Sequence, residues 1–598
     1  MPPTSRPPSA PGTPLVNPSP LRQAVTATEP LPASVADPTQ NASSGESMSV
    51  NPGELPGSKT NGAATPAPTM ASGAVAPAPA IQSLPPQTKE ELERIGKQFS
   101  LSPEKLRSIV DQFVSDLRLG LSKYGEPMAM IPTYVTGVPS GDEKGTFLAL
   151  DLGGTNLRVC EVTLEGNHKF SLRQQKYKVS TELKTGEATV LFDYMADSVD
   201  HFLTQMAAST NVEDDIHLGL TFSFPVEQSA LDKGVLLTWT KGFSAKNAIG
   251  NDVVKLLQDA FDRKHLHVRC TALVNDTVGT LMSRAYLSGG NCILGAIFGT
   301  GTNGAYVEKI DNIKKLGPEI RERLGPSAQH MIINGEWGAF DNARRVLPVS
   351  QFDNKLDRES INPRFQLFEK FISGMYQGEI CRNLLLYLVD NGYLFNGHSS
   401  AQLNSHYGFD TSVMSDIETP APEEIAKVDP ASLKPAHIAN TSKTSTSVRP
   451  NPEPDMQVWH AHTPEELRAV CANSSLQSLQ TRKILVEQMG FQPQQVSDDD
   501  TEIVLWACRT VATRAARLSA CAVATVLEQT GMVGQNVDVG VDGSMVQFYP
   551  GFEDRLRGAL RDLVGAEAEK NVVIGMAKDG SGVGAALGAL QAKKQSAA

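Results

Sequence analysis

The stretch GTFLALDLGGTNLRVCEVTL, residues 145–164, constrains the fold more than any other part of the chain. Two apolar runs flank Gly153 and Gly154, and the first run ends in a carboxylate, Asp151. Because glycine has no Cβ, such a strand–turn–strand element lets backbone N–H groups approach phosphate oxygens closely. A carboxylate beside phosphates needs a cation between them, so the turn predicts a nucleotide with Mg²⁺ held by Asp151 through water. The alternative is a plain hairpin in which Asp151 is only a turn residue.

Two further segments repeat the pattern. FGTGTNGAY (298–306) and VGVDGSMVQFYPG (539–551) are predicted to be two more strand–turn–strand elements, which suggests two halves facing one nucleotide. The chain has no GxxxxGK[ST] motif, which excludes a P-loop enzyme. GSGVGA at 580–585 departs from the GxGxxG fingerprint, so NAD binding is not indicated.

Polar side chains at the ends of apolar runs predict a separate site for a polyol. They are Ser223, Thr240, Lys241, Asn275, Asp276, Glu336 and Glu369. Each of them, taken alone, is compatible with a surface or capping role. Asp276 stands out because it follows the apolar run TALV, and a partly desolvated Asp at a strand end is a candidate general base.

Strand-like and helix-like segments alternate from about Thr88, where we expect a helix N-cap, and this alternation predicts an α/β fold with sheets covered by helices. A chain of 598 residues is too long for one core, so we expect at least two domains. Residues 1–87 hold 19 of the 38 prolines and no Phe, Tyr, Trp or Cys, and are predicted to be a disordered tail. Residues 408–462, rich in Pro, Ser, Thr and acids, are predicted to be a mobile surface insertion.

Composition excludes several classes of protein. The net charge of −12 and the pI of about 5.5 argue against nucleic-acid binding. Seven cysteines, an odd number without a CxxC pair, fit reduced thiols in a cytoplasmic protein. The N-terminus lacks an apolar signal core and no apolar run approaches the roughly 18 residues of a membrane span, so we expect a cytosolic location.

Eight motifs, in this order, carry a resemblance to a known family. They are LALDLGGTNLRV, LTFSFP, LLTWTKGF, VNDTVGTL, IFGTGTNGAY, INGEWGAFDN, VDGSMVQFYPGF and AKDGSGVGAALGAL. From about residue 90 to 590 the chain resembles the eukaryotic hexokinase/glucokinase family, and its fungal members most. The resemblance implies a two-lobed, actin-like (RNase H-like) ATPase fold with a central cleft that closes on the sugar. It divides the chain into a small lobe, 88–288, and a large lobe, 289–595.

The resemblance also implies roles for individual residues. Asp276 would be the base that takes the proton from the sugar 6-hydroxyl, with Lys241 as a second catalytic group. The hexose would be held by Ser223, Thr240, Lys241, Asn275, Asp276, Asn303, Glu336 and Glu369. ATP and Mg²⁺ would be served by Asp151, Gly153, Gly154, Thr155, Asn156, Arg158, Thr300, Thr513, Gly543 and Ser544.

The implied activity is that of a hexokinase or glucokinase, which uses MgATP to convert D-glucose to glucose 6-phosphate in the first step of glycolysis. An N-acetylglucosamine kinase and a glucose sensor with low turnover remain alternatives, the latter because the tail and the insertion suit regulatory partners. The expected state is a monomer or homodimer. Gly335, beside Glu336, stands where the family leads us to expect a bulkier residue.

Overall fold

The computed structural model describes residues 46–49, 84–206, 216–240, 242–326, 328–435, 468, 471 and 474–597. Most of the predicted tail, 1–87, therefore lies outside the described residues, as do 436–462 of the predicted insertion and Lys241. Within the tail, residues 46–49 form a strand that pairs with residues 171–174, which the prediction of a wholly disordered segment did not foresee.

The strands and helices alternate along the chain, as the sequence predicts. The strands are β1 (Glu46–Ser49), β2 (Ile131–Pro132), β3 (Lys144–Leu152), β4 (Asn156–Gly166), β5 (Lys169–Lys178), β6 (Ile216–Phe222), β7 (Val226–Ala230), β8 (Lys233–Leu236), β9 (Val268–Val274), β10 (Cys292–Phe298), β11 (Thr302–Lys309), β12 (His330–Asn334), β13 (Val537–Asp542) and β14 (Val572–Met576). The helices are α1 (Pro86–Phe99), α2 (Pro103–Ser122), α3 (Thr181–Thr185), α4 (Ala188–Met206), α5 (Val253–Arg263), α6 (Asp276–Ser288), α7 (Pro318–Leu324), α8 (Gln351–Glu359), α9 (Leu367–Ile372), α10 (Gly374–Asp390), α11 (Ala401–Asn404), α12 (Thr411–Glu418), α13 (Leu476–Glu487), α14 (Asp498–Thr530), α15 (Ser544–Phe548), α16 (Phe552–Val564), α17 (Ala566–Lys570) and α18 (Gly580–Ala597).

Two large sheets share one topology. The first has the order β1-β5-β4-β3-β6-β9, in which β3, β4 and β5 are antiparallel and β6 and β9 run parallel to β3. The second has the order β14-β13-β10-β11-β12-β2, in which β10, β11 and β12 are antiparallel and β13 and β14 run parallel to β10. The chain thus builds the same five-strand unit twice, and the prediction of an α/β fold with two lobes is confirmed.

Two helices connect the half of the molecule that contains the first sheet with the half that contains the second sheet. Helix α6 follows β9 of the first sheet but packs on β10 and β13 of the second, whereas α18 follows β14 of the second sheet and packs on the first. The two helices contact each other at two glycines, Gly279 and Gly584. A Cβ atom added to Gly584 would lie 2.1 Å from the Cα of Gly279. Because real Cβ atoms do not come so close, only glycine lets the two backbones cross here.

The N-terminal helices pack with the second half. Helices α1 and α2 contact α14, and β2 pairs with β12 of the second sheet. The predicted apolar face of α2 is buried, including Ile109, Phe113 and Leu117. Residues 84–132 precede the first sheet along the chain, so the sequence-based division at 88–288 does not coincide with their packing.

Three local predictions are corrected. Helix α1 begins at Pro86, after Pro85, and Thr88 is buried inside it rather than capping it. The third Gly-rich segment, 539–551, is a strand followed by helix α15, not by a strand, because Gly543 at φ 115° redirects the backbone. The first part of the predicted insertion is ordered: α12 buries Val413, Met414 and Ile417.

Helix α14 is long and apolar enough to cross a membrane, but 89% of its apolar window is buried inside the protein. It contacts α2, α10 and α16, and its Arg514 guanidinium donates to both carboxylate oxygens of Asp353 at 2.7 and 2.8 Å. A helix surrounded by other helices in this way is the core helix of the second half.

Candidate active site

The first hairpin turn exposes its backbone at the end of a buried strand. Asp151 is 8% exposed, whereas Thr155 and Asn156 are open to solvent. The turn is closed by a hydrogen bond from the Gly153 N–H to the Asn156 carbonyl at 3.0 Å. The tight hairpin that the sequence predicts is therefore present, and phosphate binding by it stays a prediction.

Arg158 connects this hairpin to the end of the second sheet. Its Nε and Nη2 donate to Asp151 Oδ2 at 3.0 and 2.5 Å, and its Nη1 donates to Asp579 Oδ1 at 3.2 Å. Asp579 lies between β14 and α18, so one guanidinium joins carboxylates from both halves.

The second hairpin turn is braced by Glu369. Thr300 is exposed at the tip, and the Thr302 N–H donates to Glu369 Oε2 at 3.1 Å. A Cβ on Gly301 would lie 2.8 Å from the same oxygen, so the turn accepts only glycine there without movement of that carboxylate. Glu369 therefore supports the turn in addition to its predicted contact with a hexose.

The second and third turns lie against each other. A Cβ on Gly299 would be 3.2 Å from the Cα of Gly543, and a Cβ on Gly543 would be 2.5 Å from the Phe298 carbonyl. The backbone of Gly374 joins them through a 2.7 Å hydrogen bond from its N–H to the Gly299 carbonyl. Ser544, the first residue of α15, thus lies beside the Thr300 turn, as predicted.

Several carboxylates lie close together beside these turns. Burial raises the pKa of Asp542, the nearby carboxylates of Asp276 and Asp579 raise it further, and the Arg158 guanidinium opposes them. Asp151 adds a fourth carboxylate through Arg158. Oxygen donors of this kind are the ligands that Mg²⁺ prefers, so the residues present fit a magnesium nucleotide.

Asp276 is placed by the junction of β9 and α6. Asn275 is the N-cap of α6, and its Oδ1 accepts hydrogen bonds from the N–H and the hydroxyl of Thr277 at 2.9 and 2.6 Å. Asp276 Oδ1 also accepts from the Thr277 N–H at 2.9 Å, which orients the half-buried carboxylate at the helix start. The structure thus holds the Asp276 carboxylate at the strand end where the sequence predicts a general base.

A hydrogen-bonded cluster lies opposite, on the second sheet. Asn303 Nδ2 donates to Asn334 Oδ1 at 2.8 Å and to Glu336 Oε1 at 3.3 Å, and Asn334 Nδ2 donates to the same Glu336 oxygen at 2.8 Å. Glu336 has a left-handed backbone (φ 51°), stabilised on one side by the Gly335 N–H, which donates to the Gly304 carbonyl at 2.8 Å. A Cβ on Gly335 would lie 2.9 Å from that carbonyl oxygen, so the bulkier residue we expected there does not fit without a shift.

A narrow cavity separates the two halves at this point. Its lining includes Phe222, Phe224 and Asn275 from the first half, and Asn334 and Glu336 from the second. Its volume of about 10 Å³ is far below that of a hexose, so a sugar needs the two halves to separate at this point.

The structure describes three of the four remaining predicted site residues. Ser223 follows β6 directly and is half-buried, and Thr240 is exposed in the loop after β8. Lys241 lies outside the described residues. Thr513 lies in the middle of α14, and none of the hydrogen bonds that assemble the site includes it. The structure adds Asn334, Asp542 and Asp579, which the sequence did not indicate individually, although all three lie in motifs that carry the family resemblance.

The chain is similar to known proteins over most of its length. The sequence models of the hexokinase family match residues 91–286 and, in a second part, 293–450 and 453–591. A glucokinase of Aspergillus niger is 40% identical over 537 residues, covering 85% of this chain and 97% of that protein. Hexokinase-1 of Schizosaccharomyces pombe is 37% identical over 84% of this chain and 91% of its own length.

Solved structures show the same fold. A hexokinase from Schistosoma mansoni complexed with glucose is 35% identical, with a TM-score of 0.65, and covers 85% of this chain and 99% of its own. Its likeness and that of the fungal relatives confirm the expected fold and activity. The chain is a member of the hexokinase family, an ATP:hexose phosphotransferase.

Proposed function

We propose that this enzyme transfers the γ-phosphoryl group of MgATP to the 6-hydroxyl of D-glucose. The observation that carries the proposal is one cavity whose lining joins Asn275, the residue before Asp276 at a strand end of the first half, with Asn334 and Glu336 of the second half. The glucose-complexed relative supports the choice of glucose, since its printed description names that sugar.

The hexose would lie between the two halves. Glu336, Asn303 and Glu369 would contact it from the second half, and Ser223, Thr240 and Asn275 from the first. Lys241, outside the described residues, stays a predicted contact. Carboxylates suit a ligand with several hydroxyl donors, and a buried acceptor left unpaired costs about 1–3 kcal/mol. A sugar lacking one of these hydroxyls would therefore bind less well.

Asp276 would act as general base. Its carboxylate accepts the proton of the 6-hydroxyl as that oxygen attacks the γ-phosphorus, and the bond from the γ-phosphorus to the oxygen that bridges to the β-phosphate breaks to release ADP. Such a base contributes about 10²–10⁴-fold to the rate. Separation from water matters equally, because water would otherwise compete as the acceptor.

The three Gly-rich turns would hold the triphosphate. Gly153 and Gly154, which lack a Cβ, would let the triphosphate approach the first turn beside the exposed Thr155 and Asn156, and Thr300, Gly543 and Ser544 would contact it from the second half. Mg²⁺, when bound, neutralises charge on the β- and γ-phosphates. Asp151 would hold the ion through water, and Arg158 would exchange its carboxylate partners for phosphate oxygens.

A hexose panel tests the proposal. The purified chain with MgATP should phosphorylate D-glucose with the highest kcat/KM, ahead of fructose and mannose, in an assay that measures ADP release. N-acetylglucosamine as the best substrate would identify the other kinase. Tight glucose binding without ADP release would identify a sensor. The cytosolic location and the role of the N-terminal tail stay predictions.

A further inference from the structure

Three metal-ligating side chains converge on the second half, away from the catalytic cluster. Glu359 is the last residue of α8, Glu379 belongs to α10, and His406 lies between α11 and α12. One ligand atom from each lies within 4.8 Å of the others. We propose that Glu359, Glu379 and His406 form a Zn²⁺ site. The proposal stands independently of the sugar specificity argued above.

The distances from His406 to the two carboxylates match a zinc site better than two ion pairs. His406 Nε2 lies 3.4 Å from Glu379 Oε1 and 3.8 Å from Glu359 Oε2. Bonds of about 2.0–2.2 Å to a tetrahedral zinc ion place neighbouring ligand atoms about 3.3–3.6 Å apart, whereas a charge-assisted hydrogen bond would bring them to about 2.7–2.9 Å. The contact to Glu379 has the zinc spacing, that to Glu359 needs to shorten by a few tenths of an ångström, and the two carboxylates lie within 4.8 Å of each other.

Glu379 is fixed in the orientation that such a site needs. Its side chain is fully buried; Oε2 accepts from Arg382 Nε at 2.7 Å and from the Tyr407 N–H at 2.8 Å, and Oε1 accepts from Arg382 Nη2 at 2.6 Å. A carboxylate offers about four lone-pair sites, so Oε1 keeps one on the side of His406. Outer hydrogen bonds of this kind hold metal-ligating carboxylates in place.

The other two ligands provide access from solvent. The side chains of His406 and Glu359 are 43% and 33% exposed. Lys355, one turn before Glu359 on α8 and 40% exposed, donates to both Glu359 oxygens at 2.7 and 2.8 Å, and Arg358 lies 3.8 Å away. Exposed pairs of this kind are weak, so a divalent cation would displace the Lys355 ammonium from Glu359. An imidazole with two carboxylates and a free fourth position suits zinc.

The site would cross-link the two ends of a functional segment. Glu359 precedes and Glu379 follows the stretch 360–378, which carries Glu369 and its brace to the second hairpin turn. Zinc would therefore restrain this stretch without touching the catalytic residues.

The test is titration of the metal-free full chain with zinc sulfate in competition with a chromophoric chelator, without nucleotide. The wild type should bind one zinc ion that the His406→Ala and Glu359→Gln variants bind at least about tenfold more weakly. Lys355→Ala should bind about twofold more tightly, because the competing ammonium is gone. His330→Ala, which removes an exposed histidine elsewhere, should match the wild type. All seven cysteines are buried, which limits competing thiol sites.

Thermal unfolding supplies the second readout. Zinc should raise the Tm of the wild type and of His330→Ala but not of His406→Ala, whose metal-free Tm verifies that it folds. Equal zinc affinity in the wild type and His406→Ala, or no uptake by the wild type at micromolar zinc, would overturn the proposal and leave the cluster as an ion pair.

Discussion

The two halves of the molecule share a five-strand topology but not the chemistry at their strand ends. The first hairpin turn follows buried Asp151, whereas the second follows Phe298, whose ring stacks on Trp337 and packs near Phe552. The carboxylate beside the first turn, Asp151, belongs to the strand itself and accepts from Arg158, whereas the carboxylate beside the second turn, Glu369 of α9, accepts from the Thr302 N–H of that turn. The duplicated scaffold thus uses one acid to bind a cationic side chain and the other to brace the turn backbone.

A second pair of matched positions differs in the same way. Asp276 and Asp579 both lie where the last parallel strand of a sheet leads into a connecting helix, α6 or α18. Asp579 has a left-handed backbone (φ 48°) and accepts a hydrogen bond from Arg158. Asp276 follows Asn275, which lines the cavity between the halves together with Glu336. The two matched acids therefore differ in their surroundings: Asp579 binds a guanidinium, whereas Asp276 stands next to the cavity lining.

The largest expected effect comes from replacing Asp276, and the same replacement of Asp579 provides the comparison. Asp276→Ala should lower kcat by about 10²–10⁴-fold with the fold intact, because the base is removed. Asp579→Ala, the matched change in the other half, should lower it by no more than about tenfold, since Arg158 keeps Asp151. Steady-state assays with circular dichroism as the folding check compare the two. Equal losses would show that the two acids are not functionally distinct.

The crossing of the connecting helices gives the next effect. Gly584→Ala should destabilise the protein by about 1–3 kcal/mol, because the added methyl meets the backbone of Gly279. Gly558→Ala is the matched control: its Cβ would lie 3.8 Å from the nearest atom, inside helix α16, so it should stabilise by up to about 1 kcal/mol. Urea unfolding measures both. A neutral Gly584→Ala variant would mean that the two helices do not pack as closely as described.

Sequence patterns predicted much of the local structure but not the contacts between the two halves. The hairpins at Asp151 and Thr300 and the buried face of α2 follow from glycine placement and helical spacing. The third turn was mispredicted because β-branched and aromatic residues after Gly543 favour a strand, while tertiary contacts impose α15. The bond between Arg158 and Asp579, 421 residues apart, has no local signal at all.

Two substitutions in the predicted hexose site test which half supplies the charged hydrogen-bond acceptor for the sugar. Glu336→Gln should raise KM for glucose about tenfold with a smaller change in kcat, because hydrogen bonds to a carboxylate are stronger than those to an amide. Ser223→Ala, on the first half, should raise it only about threefold, since it removes a neutral partner. Initial rates over a glucose series provide both values. The reverse order would assign the main sugar contact to the first half.

The smallest expected effect concerns Lys315, which joins the N-terminal segment, residues 84–132, to the second half. Lys315 donates to the carbonyls of Gly120 and Ala129 at 2.9 and 2.7 Å, and burial lowers its pKa to about 8. Between that pH and the ordinary lysine value of about 10.4, the unfolded chain binds more protons, so this group stabilises the fold as pH rises.

From pH 7.5 to 10 the wild type should therefore gain about 1–2 kcal/mol relative to Lys315→Met, an amount reduced because the ammonium is partly exposed. Urea unfolding of both proteins at the two pH values gives this difference and cancels the titration of tyrosines and cysteines. A constant difference across the range would show that Lys315 is not buried between the segment and the second half.

The central claim is that the hairpins of both halves and Asp276 face one another across a single cleft. A crystal structure of the chain with glucose, Mg²⁺ and a non-hydrolysable ATP analogue tests it most directly. We predict the glucose 6-hydroxyl within about 2.6–3.2 Å of the Asp276 carboxylate, with the triphosphate on the turns at 153–156 and 299–301. A triphosphate bound on another face, or a 6-hydroxyl out of reach of Asp276, would contradict the account.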